Sequence, residues 1–450
     1  MVLVTSLQQV TTADRCPSSW ISWGHHCYRY KMFKALLLVL LAVCACAYEV
    51  KDVDVSLGKE DQPRGVKFAR AESSTESKIK GWGLFADDHG EVEKTIRLYV
   101  YDFVLAGKLI FEDTFDTFNL TTWQHEITAG GGGNGEFQYY TNNRSNSYVR
   151  DNVLYIKPTL TSAKESEEFL TCGTLNLWGS TPADLCTGHN NSGCERSGSA
   201  TNYINPIQSA RIRTVESFAF KYGKIEVEAQ MPKGDWIWPA IWLLPKRNAY
   251  GQWPASGEID LVEVRGNEDL TDSSGTYVGV QQMGQTLHWG PFSPINGYPK
   301  THVTKNLPDG GKFSDAFYKF GLEWTADSLK FYLDNEETMT VDPGDSGFWD
   351  YGGFGDFNCS FDNPWANSPN KLAPFDQEFY IIINVAVGGT GYFSDDFTNR
   401  PYPKPWLNNS THPIKDFYDA KCDWYPTWNA HVDNGEDAAL KVRSVRVWAV

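Results

Sequence analysis

Tyr222-Gly223-Lys224-Ile225-Glu226-Val227-Glu228-Ala229-Gln230 decides the fold class, because apolar and polar residues alternate along it. Ile225, Val227 and Ala229 fall on one side of an extended chain and Glu226, Glu228 and Gln230 on the other, the signature of a strand with one buried face. Similar short segments recur at Leu329-Lys330-Phe331-Tyr332-Leu333, Phe379-Tyr380-Ile381-Ile382-Ile383-Asn384 and residues 440–449, with Gly, Pro, Asn and Asp at the joints. No long segment carries a 3.6-residue period. The pattern predicts an all-β fold, a two-sheet sandwich forming one domain over residues 108–450.

Inside that stretch lies Glu258-Ile259-Asp260-Leu261-Val262-Glu263. Glu258 and Asp260 are two apart and share a strand face, whereas Glu263, five residues after Glu258, would face away in a regular strand. One extra residue restores the parity, so a β-bulge near Leu261 and Val262 is expected. The plain alternative is a solvated acidic face with Ile259, Leu261 and Val262 buried behind it. Three acids on one face raise one another's pKa, so one carboxyl stays protonated while a neighbour is ionised. Glycoside hydrolysis needs that asymmetry, and carboxyls about 5–5.5 Å apart imply retention of configuration. With backbones roughly 13 Å apart at about 3.3 Å per residue, the two glutamates must lean together.

Composition narrows the partners. A net charge of −16 disfavours nucleic acid and anionic membranes. Aromatic residues reach 14%, including 17 Trp, a supply that suits stacking on the apolar faces of an uncharged sugar as well as core packing.

The acid run resembles the active-site motif of glycoside hydrolase family 16. The likeness extends over Ile204-Asn205-Pro206, residues 209–214, the Trp-rich run from Trp236 to Pro245, residues 251–258 and Arg265-Gly266-Asn267, and points to the invertebrate laminarinase and β-1,3-glucan-recognition subgroup. It implies a jelly-roll sandwich with a concave substrate cleft. It also implies Glu258 as nucleophile, Glu263 as general acid/base and Asp260 as the residue that hydrogen-bonds the nucleophile and holds its charge state. Trp238, Trp242 and Trp253 would line glucose subsites, with core packing the alternative for each. His288 resembles the family's cleft histidine, and the run of residues 131–140 with Asn143 and Arg144 resembles its rim loop, so Asn134 and Arg144 are expected to contact sugar hydroxyls. Val264 stands where many relatives carry a small polar residue. The implied partner is a β-1,3-glucan, met by a monomer with no nucleic acid. No metal or cofactor is expected to act in catalysis, and a structural calcium ion stays open. A non-catalytic glucan-recognition protein of innate immunity is the rival, but such proteins often lose the acids that are present here.

Lys34, the apolar run of residues 35–43 and Ala45-Cys46-Ala47 read as a secretory signal over residues 32–47, with cleavage expected after Ala47 and no membrane insertion afterwards, an uncleaved anchor being the alternative. The apolar run is shorter than the roughly 20 residues a membrane span needs. Residues 1–31 then read as a spurious or mis-joined extension, although Cys16 and Cys27 lie in stretches resembling the opening of a C-type lectin domain. Residues 48–107 read as a short segment, a remnant glucan-binding module through Gly81-Trp82-Gly83-Leu84-Phe85-Ala86. Secretion leaves Cys172, Cys186, Cys194, Cys359 and Cys422, an odd number, and the first three are expected to supply one local bridge. Acceptor triplets at Asn119, Asn143, Asn190, Asn358, Asn408 and Asn409 agree with an extracellular glycoprotein.

Overall fold

The computed structural model describes residues 106–179, 185–357 and 361–450, together with three short upstream strands. The expected signal, the extension before it, Cys359 and Asn358 lie outside the described residues. Residues 1–103 and 104–450 form separate compact units. In the first, Val66–Phe68, Gly83–Ala86 and Lys94–Arg97 pair as an antiparallel sheet.

In the second unit two antiparallel sheets carry the fold. Their strands, in chain order, are β1 (Leu109–Asp113), β2 (Gln124–His125), β3 (Ser147–Arg150), β4 (Val153–Ile156), β5 (Arg211–Arg213), β6 (Gly223–Gln230), β7 (Ile237–Pro245), β8 (Glu258–Val264), β9 (Gln282–His288), β10 (His302–Asn306), β11 (Tyr318–Trp324), β12 (Leu329–Leu333), β13 (Glu336–Val341), β14 (Phe379–Val387) and β15 (Leu440–Trp448). One sheet runs β10-β9-β8-β7-β14-β5-β2; the other runs β13-β12-β11-β6-β15-β4-β3, with β1 also pairing β15.

The alternation read in the sequence becomes the interface between the sheets. Ile225, Val227 and Ala229 of β6 are fully buried and share one core with Phe320, Leu322, Phe331, Val445 and Val447 of their own sheet. From the other sheet Ile212, Ile241, Leu243, Ile259, Val262, Ile381 and Ile383 enter the same core. The all-β jelly-roll sandwich is therefore the fold of this unit, and burial of two apolar faces against each other is what holds it.

Register then dictates what the seven-stranded sheet shows on its outer face. Ile212 pairs with Ile383, and Ile383 with Ile241, so the core side is a row of aliphatic residues. Their strand neighbours point outward: Arg211 pairs with Asn384, Asn384 with Ala240 and Ala240 with Glu263. A second outward row links Arg213, Ile382, Trp242, Asp260 and Thr286. Polar and aromatic side chains thus collect on one face by strand periodicity alone.

Of the cluster Cys172, Cys186 and Cys194, the last two form the bridge, with Cα atoms 5.7 Å apart, while Cys172 and Cys422 are free and exposed.

Candidate active site

β8 brings the three acids together through one irregularity. On the β7 side Ile241 pairs with Val262 and Trp242 with Asp260, so Leu261 is the extra residue. On the β9 side the register also shifts between Asp260 and Glu263. Leu261 and Val262 are both fully buried, although adjacent residues of a regular strand point to opposite faces. Gln285 holds the bulge by donating its side-chain amide to the Leu261 carbonyl at 2.9 Å. Glu263 is thereby returned to the face of Glu258 and Asp260. The bulge expected from spacing is present at the expected residues.

Each carboxylate has its own holder. Trp253 donates its indole N–H to Glu258 Oε2 at 2.7 Å, and Trp238 donates to Glu263 Oε1 at 2.9 Å. The Trp238 ring is stacked on Tyr392 with centroids 4.0 Å apart, and the Arg265 guanidinium covers the Tyr392 ring at 4.0 Å. His288 pairs with Glu258 across the strands and places Nε2 3.4 Å from Asp260 Oδ2. Asn296 donates to His288 Nδ1 at 3.0 Å. The amide donor makes Nδ1 the acceptor, so the neutral ring carries its proton on Nε2, facing Asp260. Burial supports that neutral form by pushing the imidazole pKa down to about 4.

Electrostatics sets the protonation pattern. Burial, then the charge of Glu263, push Glu258 up to about 7, while the Trp253 hydrogen bond, the Arg211 charge and a hydrogen bond with Asp260 pull it back. Asp260 is held well above the ordinary carboxylate range by burial and by its two acidic neighbours, and its hydrogen bond with Glu258 raises it further. That one contact lowers Glu258 and raises Asp260, so of the two Glu258 loses its proton first and Asp260 keeps the shared one. Glu263 is raised too, by burial first, against the pull of Trp238 and Arg265. All three carboxyls are therefore shifted toward the protonated form, Asp260 among them by both of its acidic neighbours. Glu258, Asp260 and His288 form the one trio among the described residues with metal-ligand spacing, and it coincides with these acids.

The remaining expected residues fall at different distances from this centre. Trp242 lies on the same face, donates to Asn384 Oδ1 at 2.7 Å and is covered by the Arg211 guanidinium at 4.4 Å. Asn134 belongs to a rim turn whose carbonyl accepts from Thr390 N at 2.8 Å, just past β14. Arg144 is not brought to the acids. It contacts His125 Nε2 at 3.0 Å, and His125 pairs with core-facing Ile212 on the edge strand β2, four strands from β8. The side chain is exposed, lies over the Phe118 ring at 4.6 Å and donates to the Asn142 carbonyl at 2.7 Å.

Sequence reasoning missed the floor beside Trp242. Asn384 donates to the Tyr140 hydroxyl at 3.1 Å, which donates to Glu136 at 3.2 Å. Arg211 and Arg213 both meet Glu126, at 3.2 and 3.0 Å. One signal existed: Asn384 interrupts the apolar run from Phe379, and a polar residue in a buried strand has a partner to satisfy.

A model described as glycosyl hydrolases family 16 matches residues 182–351. A beta-1,3-glucan-binding protein of Penaeus monodon is 53% identical over 343 residues, covering 76% of this chain and 90% of the relative. The chain belongs to glycosyl hydrolase family 16. Gram-negative bacteria-binding protein 1 of Drosophila melanogaster is 32% identical over 353 residues, and this family 16 chain spans 65% of its length. Among solved structures, the laminarinase catalytic domain of Thermotoga maritima aligns over 76% of this chain and 98% of its own, with 23% identity and a TM-score of 0.46.

Proposed function

We propose that this family 16 protein is a secreted, retaining endo-β-1,3-glucanase. The observation that carries the reading is the bulged strand β8, which sets Glu258, Asp260 and Glu263 on one face with both glutamates held by indole donors. In this reading Glu258 attacks the anomeric carbon while Glu263 gives its proton to the leaving oxygen; Glu263 then deprotonates the water that releases the glycosyl enzyme. Asp260 keeps the proton that would otherwise neutralise Glu258. Trp238, Trp242, Trp253 and His288 hold glucose units, Asn134 contributes from the rim, and the chemistry uses no cofactor. Secretion, glycosylation and a monomeric state belong to the same proposal, with a digestive or a defence role both open to it. No helix among the described residues is long and apolar enough to cross a membrane.

A second reading, recognition of β-1,3-glucan without cleavage, is favoured by the likeness to the beta-1,3-glucan-binding protein of Penaeus monodon. Azide separates the two readings. With an activated aryl β-glucoside, Glu258→Ala should give an α-glycosyl azide by direct attack, and Glu263→Ala a β-glycosyl azide by two displacements. Azides of the same configuration from both variants would overturn the assigned roles. Binding of laminarin by the wild type with no cleavage would establish the second reading.

A further inference from the structure

Beyond Glu258 the aromatic lining does not stop. The exposed Trp253 ring, 42% accessible, meets His288 with centroids 5.5 Å apart, and His288 meets Tyr298 at 5.3 Å. Tyr298 is itself 43% accessible and Phe292, on the same loop, 42%. Large aromatic rings left this open lose the burial that normally retains them, so a row of them marks a contact surface.

The row is built rather than incidental. Asn296 accepts from the Trp289 and Tyr298 backbone N–H groups at 3.3 and 3.1 Å while donating to His288. The loop of residues 289–297 closes on itself by Gly297 N–H to the Trp289 carbonyl at 2.6 Å, and a Cβ at Gly297 would lie 2.4 Å from the Trp289 ring. Trp289 is fully buried and donates to Thr301 at 2.8 Å, which anchors the loop to the sandwich. At the tip, Phe292 stands edge-on to Phe361 at 5.3 Å. One side chain, Asn296, thus fixes Tyr298 relative to a histidine that touches the acid cluster.

We propose that Tyr298 and Phe292 extend the cleft past Trp253 and His288 as stacking positions for further glucose units of a long β-glucan. This rests on the reading that the acid face binds β-1,3-glucan, and it adds a preference for chain length. Continuity with the cleft selects the occupant. Successive rings are tilted by 48° and 38°, so they do not close into one flat stack and each can offer its own face. Flat apolar faces joined at intervals fit them; a charged polymer finds no matching cation row in these rings.

The test compares polymeric laminarin with laminaritriose, whose three units cannot span the bond at Glu258 and both added positions at once. The double variant Tyr298→Ala/Phe292→Ala should lower the ratio of polymer to trisaccharide kcat/KM by roughly fivefold or more. Tyr298→Phe, which keeps the ring, should preserve the ratio. Tyr277→Ala, which removes a 47% accessible ring before the other end of β9, should also preserve it. If the wild type binds without cleaving, the same ratio is read from dissociation constants. An unchanged ratio in the double variant overturns the extension and leaves the proposed function standing. Failure of the wild type to bind or cleave either glucan overturns both.

Discussion

Two indole N–H groups tune the candidate site residue by residue, and they tune opposite partners. The reaction needs Glu258 ionised, which sets the acidic limb of kcat/KM, and Glu263 protonated, which sets the alkaline limb. A donor to a carboxylate stabilises its charged form, so losing it raises that carboxyl's pKa. Trp253→Phe should therefore move the acidic limb up by about one pH unit, and Trp238→Phe the alkaline limb by a similar amount, since a hydrogen bond to a charged group is worth about 1.5–3 kcal/mol. The pH profiles of both variants check this; movement of the same limb in both would contradict it. Stability carries the same electrostatics with a definite sign. Because the folded pKa of Glu258 is raised to about 7, its favourable contribution is complete below the unfolded value of 4.5 and lost as pH rises through 7. Glu258→Gln should then melt with the wild type near pH 4 but a few degrees higher at pH 8. The gain should be about 1–2 kcal/mol, discounted from about 1.4 kcal/mol per pKa unit because the cleft admits water. Calorimetry at the two pH values decides it, and equal shifts at both would remove Glu258's strained charge as the cause.

The strand β8 is the element on which the site depends, and its two ends are prepared differently. The bulge was legible in the sequence because the parity of Glu258, Asp260 and Glu263 is a counting argument that needs no contacts. The entry to the strand was not. Gly257 has φ +86°, and a Cβ there would meet Phe375 at 3.0 Å and Phe379 at 3.3 Å. Those rings come from a segment more than a hundred residues later, so no local pattern announces the constraint. Gly257→Ala combines left-handed strain, about 1–2 kcal/mol for an L-residue, with that close approach. It should destabilise the protein by about 2 kcal/mol or more in denaturant melts and lower kcat more than it raises KM, because it displaces Glu258 without touching the sugar platforms. Arg144 shows the converse limit: its sequence neighbours match the rim loop, but its contact with His125 ties it to the edge strand β2, whose two residues carry too little periodicity to show which face they present.

For the whole molecule, patterning was sufficient for the sandwich and insufficient for the cleft floor. Alternation of single residues names the buried face of β6, and the core positions Ile225 and Val227 follow from it, whereas the continuous apolar run of β14 names neither face. The relay from Trp242 through Asn384 and Tyr140 to Glu136 joins three segments far apart in sequence, so only the strand order brings its members together. Net charge is the property that acts over the full surface. At −16 the field repels polyanions, and the site's recognition groups are indoles, amides and hydroxyls rather than a row of free cations. Arg211 and Arg213, the cations of the cleft floor, are already engaged by Glu126. Binding of a neutral glucan consequently releases few counterions. The laminarin dissociation constant should change by less than about twofold between 50 and 500 mM salt, whereas a protein neutralising several anionic groups loses about 10³-fold or more over a similar range. Titration calorimetry at the two salt concentrations measures it directly. A steep fall in affinity with salt would mean that charge, not stacking and hydroxyl contacts, holds the ligand, and would turn attention from the aromatic cleft to a sulfated or acidic polysaccharide.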